Sequence, residues 1–490
     1  MSPADRVLEA PEITSDALEM ASEREAIARG WIIPAIIGSA LLMQTLEATV
    51  MSNALPTIAR ALHVDPVRLN MTMTMFLLAS AVCLPVSGWM ADKLGAKKVF
   101  MTSMVLFALS SAGCGFAQNL PELIVGRIFQ GVAASMMAPV GRLVLLRTTP
   151  KNELVGAMSV LTMPALVGPV IGPILGGTIV TFFNWRWIFY INLPVAIVGV
   201  TLVRAFVPNV KEQQVSPLDW MGIALTGVGL AAMIFGFENL GRNFLPAAQV
   251  AGLFAIAAVC FTLYWLHARN NPHAIIDLSI FRVRTFQTGV VGGAFFRIAM
   301  GATPFLLAML LQIGFGMSAF RAGLMTFISA AGALVMKTTA PPILRRFGFR
   351  TVLVANGFIC SSTFMLYALF RPSTPHWLIM GVLAVGGFFR SLQFTSLNGL
   401  AYADIEQDRM SRASTASSMS QQLVQSVGIG LAATLLHFVS LWRHETRLTW
   451  DTVTPAFAII GSVTFISILW YLRLPADAGD QLHQRRRGRV

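Results

Sequence analysis

The chain has 490 residues, of which 55% are hydrophobic and only 12% are charged, and its mean hydropathy is +0.67. Soluble proteins carry about 25% charged residues, so this composition excludes a soluble globular protein and indicates a polytopic membrane protein. The net charge of +13 does not indicate nucleic-acid binding, because most Lys and Arg residues fall on alternate loops between apolar segments. That asymmetry predicts that both termini are cytoplasmic.

Fourteen apolar segments are long enough to cross a bilayer, which takes about 20 residues. They cover residues 31–54, 71–91, 99–117, 121–146, 153–181, 185–207, 218–239, 248–267, 285–313, 320–341, 350–370, 376–401, 413–441 and 452–472. We therefore predict an all-α membrane protein with 14 transmembrane helices. Residues 1–30 show no signal-peptide pattern and are expected to be a cytoplasmic tail, as are the basic residues 473–490.

A short basic turn occurs twice in the chain. Residues 88–98 (GWMADKLGAKK) lie between the second and third segments, and residues 345–350 (RRFGFR) lie between the tenth and eleventh. This echo predicts two six-helix halves, residues 31–207 and 285–472, with two inserted helices in residues 208–284.

The first turn, G-x-x-x-D-x-x-G-x-K-K, resembles the signature loop of the major facilitator superfamily. Gly88 would allow close helix approach, and Gly95 would permit a turn that a side chain hinders. The resemblance implies the major facilitator fold and a conformational-switch role for Gly88, Asp92, Gly95 and Lys97.

Residues 46–56 (LEATVMSNALP) resemble the L-D-x-T-x-x-N-x-A-L-P signature of the fourteen-span drug:proton antiporters, with Glu47 in place of the usual Asp. Residues 126–131 (GRIFQG) resemble that family's R-x-x-Q-G motif. Residues 168–177 (GPVIGPILGG) resemble its antiporter motif, which implies a hinge or packing role for Gly172, Pro173 and Gly176. Within this family, the chain most resembles the MdtD-type transporters. The short sequences that carry this resemblance are residues 141–143, 281–286, 311–316 and 322–325.

Six charges lie inside apolar segments, where each costs roughly 2.5–3.5 kcal/mol and is a candidate functional group. They are Glu47, Arg127, Arg142, Arg297, Lys337 and Arg390. All except Lys337 fall on spans one, four, nine and twelve, which line the central cavity in the family that the chain resembles. Alternatives remain open: Arg142 and Lys337 could snorkel to the membrane surface, and Arg127 could be a purely structural partner of Glu47.

Glu47 is the only acidic residue well inside a span, so we expect it to be the proton site, with Arg127 competing for its charge. The excess of basic residues favours an anionic substrate. The predicted substrate-binding residues are Arg142, Arg297, Lys337, Arg390, Asn53, Gln312 and Gln393.

These features predict a monomeric transporter of a bacterial inner membrane, not an enzyme, whose partners are protons, a small molecule and the lipid bilayer. We expect proton-coupled efflux of small organic anions, such as carboxylates or their metal chelates, by alternating access. We expect no cofactor, no metal site and no nucleic-acid partner. Two alternatives remain: a broad multidrug exporter of amphiphilic drugs, in which the arginines serve structure, and a non-transporting sensor or scaffold.

Overall fold

The computed structural model describes residues 15–64, 69, 71–209, 217–240, 245–271, 273–317, 319–444, 449–475 and 478–479. Most of the two predicted tails and part of the loop at 208–217 lie outside these residues. The side chains of residues 15–30, Asn53 and Pro173 also lie outside the description.

Helices make up nearly all of the described chain, joined by short turns. They are α1 (Ser15–Ala61), α2 (Met71–Cys83), α3 (Val86–Leu94), α4 (Ala96–Phe116), α5 (Leu120–Thr148), α6 (Leu154–Phe182), α7 (Trp187–Phe206), α8 (Trp220–Asn239), α9 (Ala247–Asn270), α10 (Arg284–Gly314), α11 (Ala319–Phe347), α12 (Phe349–Tyr367), α13 (His376–Ala401), α14 (Met410–Trp442) and α15 (Trp450–Leu472). Within α10, the segments Thr288–Gly292 and Met309–Gly314 are π-helical.

Among the described residues, 12 helices are long and apolar enough to cross a membrane. The pair α2 and α3 passes the same test together, but it is bent by 58°. The bend lies at Pro85, whose ring removes a backbone donor and prevents a continuous helix. The single span predicted over residues 71–91 is therefore broken. The described side chains of α6 form an apolar stretch, Leu154–Pro164, that is shorter than a span.

The helices pack as two groups, which we call the amino-terminal bundle (α1–α7) and the carboxy-terminal bundle (α10–α15). In the first, α6 packs on α1, α5 on α2 and α4, and α7 on α1 and α4. In the second, α11 packs on α13, α12 on α13 and α15, and α10 on α14 and α15. The bundles touch through α6 with α11, and through α3 and α5 with α14.

Helices α8 and α9 follow the amino-terminal bundle in the sequence and precede the carboxy-terminal bundle. They pack against each other, and α8 also packs on α2 and α14. Asp219 caps α8 by accepting a hydrogen bond from the Gly222 amide at 2.8 Å. Beyond α9, the Arg409 guanidinium donates to Asp277 at 2.7 Å. Partial burial would raise the pKa of Asp277, but hydrogen bonds from Ser279 and Arg409 outweigh it and hold that pKa below its usual value. This ion pair joins the loop after α9 to the amino end of α14.

Both copies of the repeated basic turn contain a glycine with positive φ, at 95° for Gly95 and 74° for Gly348. We call the end of the molecule that carries these turns the basic-loop end. At Gly95, a Cβ atom would also lie 2.6 Å from Asn209 Oδ1. In each turn, this single glycine separates the end of one helix from the start of the next.

We expect Gly95→Ala to lower the free energy of unfolding by about 1–3 kcal/mol, because alanine adopts this backbone region only with strain. Gly113→Ala is the matched control, since nothing lies within 4 Å of its added Cβ and its backbone is helical. Thermal unfolding of the purified proteins measures both. Equal melting temperatures for the two variants would contradict the argument.

Candidate transport site

Glu47 lies on α1 and accepts hydrogen bonds from Arg127, Gln130 and Asn192. We call these four buried side chains the carboxylate centre. Arg127 donates to Glu47 Oε1 at 2.5 Å, and Gln130 donates to Oε2 at 2.6 Å. Asn192 on α7 donates to the same Oε2 at 3.0 Å. Glu47 is 3% exposed and Arg127 is 2% exposed, so the ion pair is shielded from water.

Helix geometry explains how α5 supplies two of these donors. Arg127 and Gln130 are three residues apart, so they lie on the same helix face. Arg127 also stacks its guanidinium over the Phe76 ring, at 4.5 Å from the ring centroid. Ser111 accepts from Asn192 at 2.9 Å, which fixes the amide that faces Glu47.

The chemistry of this centre would allow a proton on Glu47 to replace the ion pair with Arg127. The donors around Glu47 stabilise its ionised form, whereas its burial favours the neutral form. Protonation would remove the charge that holds Arg127, and removing one partner of a buried pair costs about 3–5 kcal/mol. Protonation of Glu47 would therefore weaken the contacts that join α1 to α5 and α7.

Three basic side chains from three helices meet one face of α13, and we call them the cation cluster: Arg142 of α5, Arg297 of α10 and Lys337 of α11. Thr395 and Asn398 supply that face, together with Tyr402, the residue that caps the carboxy end of α13, at the i, i+3, i+7 spacing of one helix side. They accept from Lys337 at 2.7 Å, from Arg297 at 3.4 Å and from Arg142 at 3.4 Å, respectively.

The two arginines of the cluster have incomplete hydrogen bonding. Arg142 makes three hydrogen bonds with described residues, to Tyr402, Ser418 and Gln421, and each measures 3.4 Å, longer than the usual range of about 2.7–3.2 Å. Arg297 donates to the Gly289 carbonyl at 2.8 Å, but its buried Nε has no partner. Gln421 links them by donating to Asn398 at 3.3 Å.

No carboxylate pairs with the cation cluster among the residues that the structure describes. Its partners are neutral hydroxyl, amide and carbonyl oxygens. Arg297 and Lys337 are each 3% exposed. Buried charges are ordinarily paired, so the cluster has the chemistry of a site for an anion.

The other predicted binding residues lie outside the cluster. Arg390 lies five residues before Thr395 on α13, but it donates to Ser329 on α11 and to the Gly386 carbonyl rather than to a partner of the cluster. Gln393 is fully buried and accepts from Asn356 at 2.7 Å, so it joins α13 to α12. Gln312 is exposed, near the end of α10.

The two bundles are joined at the basic-loop end. Lys151 donates to the Ala403 carbonyl at 3.1 Å, and Ser414 donates to the Pro139 carbonyl at 3.0 Å. A Cβ on Gly88 would collide with Thr415 of α14 and would lie 2.9 Å from Ser411 Oγ, so only glycine permits this contact between α3 and α14. All side-chain hydrogen bonds that we find between the described parts of the two bundles lie toward this end.

The remaining predicted switch residues lie at helix contacts of the amino-terminal bundle. Asp92 accepts from Arg147 at 2.8 Å, and Lys97 donates to the Arg204 carbonyl at 2.9 Å. A Cβ on Gly172 would overlap Thr49, and one on Gly176 would lie 3.3 Å from the Val50 backbone, so α6 fits closely against α1.

Several polar residues of these two centres are absent from the predicted site: Gln130, Asn192, Thr395, Tyr402, and Thr162 of α6, which accepts from Lys337 at 2.6 Å. Gln130 belongs to the quoted R-x-x-Q-G motif, and Asn192 lies in the polar turn at the start of α7, so both had a sequence signal. The two threonines resemble many others in apolar helices and carry no such signal.

Among the described residues, no group of three or more His, Cys, Asp or Glu side chains is arranged to hold a metal ion. The four cysteines, Cys83, Cys114, Cys260 and Cys360, are free thiols.

The chain matches the Major Facilitator Superfamily over residues 37–429, with a second match over residues 289–489. It is 38% identical over 458 residues to MdtD of Escherichia coli O6:H1, a protein provisionally named for multidrug resistance; the match covers 93% of this chain and 97% of that protein. MdtD of Escherichia coli O7:K1 is 36% identical over 441 residues, covering 90% and 92% of the two chains.

Solved structures show the same fold at low identity. The human organic anion transporter MFSD10 superposes with a TM-score of 0.65 at 14% identity, covering 90% of this chain and 99% of that one. The proton:xylose symporter XylE superposes with a TM-score of 0.64 at 12% identity, covering 92% and 97%. From the sequence matches and this all-helical fold together, the chain belongs to the major facilitator superfamily, as a membrane transporter similar to MdtD.

Proposed function

We propose that this transporter exports small organic anions, such as carboxylates or their metal chelates, in exchange for protons. The observation that carries the proposal is the cation cluster, in which the buried Arg297 and Lys337 and the partly buried Arg142 have no carboxylate partner among the described residues. A substrate carboxylate would complete the hydrogen bonding of Arg142 and Arg297, including the unpartnered Nε of Arg297. Exporters of lipophilic cations would need acidic groups at that position.

The carboxylate centre supplies the proton side of the exchange. Glu47 and Arg127 lie in the amino-terminal bundle, while Arg297 and Lys337 lie in the carboxy-terminal bundle, and Arg142 reaches from α5 to α13 and α14. A proton on Glu47 would loosen α1 from α5, the helix that also carries Arg142. That shared helix gives a physical route by which proton binding changes the substrate site.

We further propose 14 spans: the 12 apolar helices, the bent pair α2–α3, and α6 at its full 29 residues. The halves would be residues 31–207 and 285–472, with α8 and α9 inserted. The charge asymmetry of the loops supports a cytoplasmic basic-loop end in an inner membrane. With its bundles joined at that end, the conformation would be the outward-facing one.

The direct test uses the purified transporter in liposomes that hold a pH-sensitive dye, with carboxylates and amphiphilic cations added in turn. Proton movement driven by carboxylates supports the proposal. Movement with amphiphilic cations alone would favour a broad multidrug exporter, the function for which the MdtD relatives are provisionally named. If no compound in the panel drives proton movement, the result would favour a sensor or scaffold.

We expect Glu47→Gln to abolish carboxylate-driven proton movement, because glutamine keeps the size and hydrogen bonding of the side chain but cannot take up a proton. Glu122→Gln is the control, since Glu122 is an exposed carboxylate at the amino end of α5. The dye signal in liposomes measures both. Undiminished proton movement in Glu47→Gln would remove Glu47 from the coupling step.

We expect Arg297→Met to weaken carboxylate binding ten- to hundredfold, because a hydrogen bond to a charged group contributes about 1.5–3 kcal/mol. Arg204→Met changes an exposed arginine at the end of α7 and should leave the affinity unchanged. Equilibrium binding of the carboxylate found in the liposome panel measures both. Equal affinities in the two variants would make Arg297 a structural residue.

A further inference from the structure

Lys337 is held in an unusual way for a buried ammonium group. Its Nζ donates to Thr162 Oγ1 at 2.6 Å and to Thr395 Oγ1 at 2.7 Å, and no acidic side chain contacts it among the described residues. The Phe394 ring lies 5.8 Å away and covers another side of the amine. Two neutral hydroxyl oxygens thus replace the counter-ion that a buried lysine ordinarily has.

The two hydroxyl groups belong to different bundles. Thr395 is on α13, in the same bundle as Lys337, whereas Thr162 is on α6 of the amino-terminal bundle. The bond from Lys337 to Thr162 therefore crosses the contact between α6 and α11, one of the places where the bundles touch. Any motion that separates these two helices must break it.

Thr162 is prepared to accept this bond. Its hydroxyl donates its single proton to the Met158 carbonyl at 2.8 Å within α6, which leaves the oxygen lone pairs free for Lys337. Such bonds to the preceding turn are common for threonine in helices and fix the direction of the hydroxyl. The oxygen therefore faces α11 without any change in α6.

When α6 and α11 separate, Lys337 loses one of its two acceptors and meets the opening cavity. A buried charge left with an unsatisfied hydrogen bond is costly, so the open form gains most from an anion at this point. A substrate carboxylate offers two oxygens and the missing charge. It would take the place that Thr162 holds while the bundles are closed.

We propose that Thr162 is a positioning residue for Lys337. It accepts a hydrogen bond from Lys337 while the basic-loop end is closed, and the anionic substrate replaces it as the acceptor when that end opens. The second half of this statement rests on the proposed function, and the first half does not. Thr162 and the substrate then compete for one ammonium group. Substrate release on the far side is assisted because closure returns Lys337 to Thr162.

The first test follows opening of the basic-loop end without any substrate. Ser414→Cys places a thiol where a 1% exposed serine joins α14 to α5, in a chain that also carries Cys83→Ala and Cys260→Ala. The protein is held in lipid nanodiscs and labelled with a membrane-impermeant maleimide. We expect Thr162→Val to raise the labelling rate about tenfold, because the closed form loses a hydrogen bond to a charged group.

Three controls separate this bond from general destabilisation. Thr162→Ser keeps the hydroxyl and should label at the parent rate. Thr201→Val removes a comparable bond to the preceding turn on an exposed face and should also leave the rate unchanged. In a Lys337→Met background, Thr162→Val should change the rate less than twofold. An equal rise with and without Lys337, or no rise at all, would overturn the proposal.

The second test measures binding of the carboxylate from the liposome panel to the same variants. Thr162→Val should tighten binding about tenfold because the binding-competent form is more populated, whereas Lys337→Met should weaken it by at least as much. Weaker binding in Thr162→Val would overturn the competition. If no carboxylate binds even the parent protein, the proposed function and the second half of this inference fail, and the labelling rates decide the first half.

Discussion

The buried charges of this transporter are the constraint on which the rest of the structure depends, because a bilayer offers no water to solvate them. The two centres meet that constraint in opposite ways. Glu47 and Arg127 neutralise each other, with Gln130 and Asn192 completing the shell around the carboxylate. The cation cluster is left with neutral acceptors, so its charge stays uncompensated within the described chain. The carboxylate centre is neutral as it stands, whereas under the proposed function an anionic substrate neutralises the cation cluster.

Several helix contacts connect these two centres to the contact between the bundles. Helix α5 carries Arg127 toward Glu47 and Arg142 toward Tyr402 and α14, so one helix contributes a basic side chain to each centre. Close helix approach at Gly88, between α3 and α14, keeps the basic-loop end shut. Opening that end must separate the same bundles whose contact covers Lys337. In this account, substrate binding and the change of access are therefore the same physical event, with the charge of Glu47 biasing the position of α5.

Much of this arrangement follows from the sequence, and the missing part has a physical cause. Glu47 stands out as the only acidic residue well inside an apolar run, and its motif context indicates a partner on the fourth span. The sequence predicts Arg390 and Gln312 as substrate-binding residues, and the structure places their side chains outside the cation cluster. These helices are apolar on nearly all sides, so their sequences do not show which face points toward the centre of the protein. The rotation of each helix about its axis therefore cannot be predicted from the sequence. The cation cluster forms at α13 because three helices that are distant in sequence pack together there. No local sequence pattern predicts that packing. The break at Pro85, by contrast, had a visible signal in the proline itself.

The central claim is that the cation cluster binds the negative charge of the substrate, and a matched pair of ligands tests it most directly. Isothermal titration calorimetry would compare a carboxylate with its amide, which has nearly the same shape but no charge. The account predicts that the carboxylate binds at least tenfold more tightly, because only the charged ligand compensates Arg142, Arg297 and Lys337. Equal affinity for the two ligands, or preferential binding of an amphiphilic cation, would contradict it.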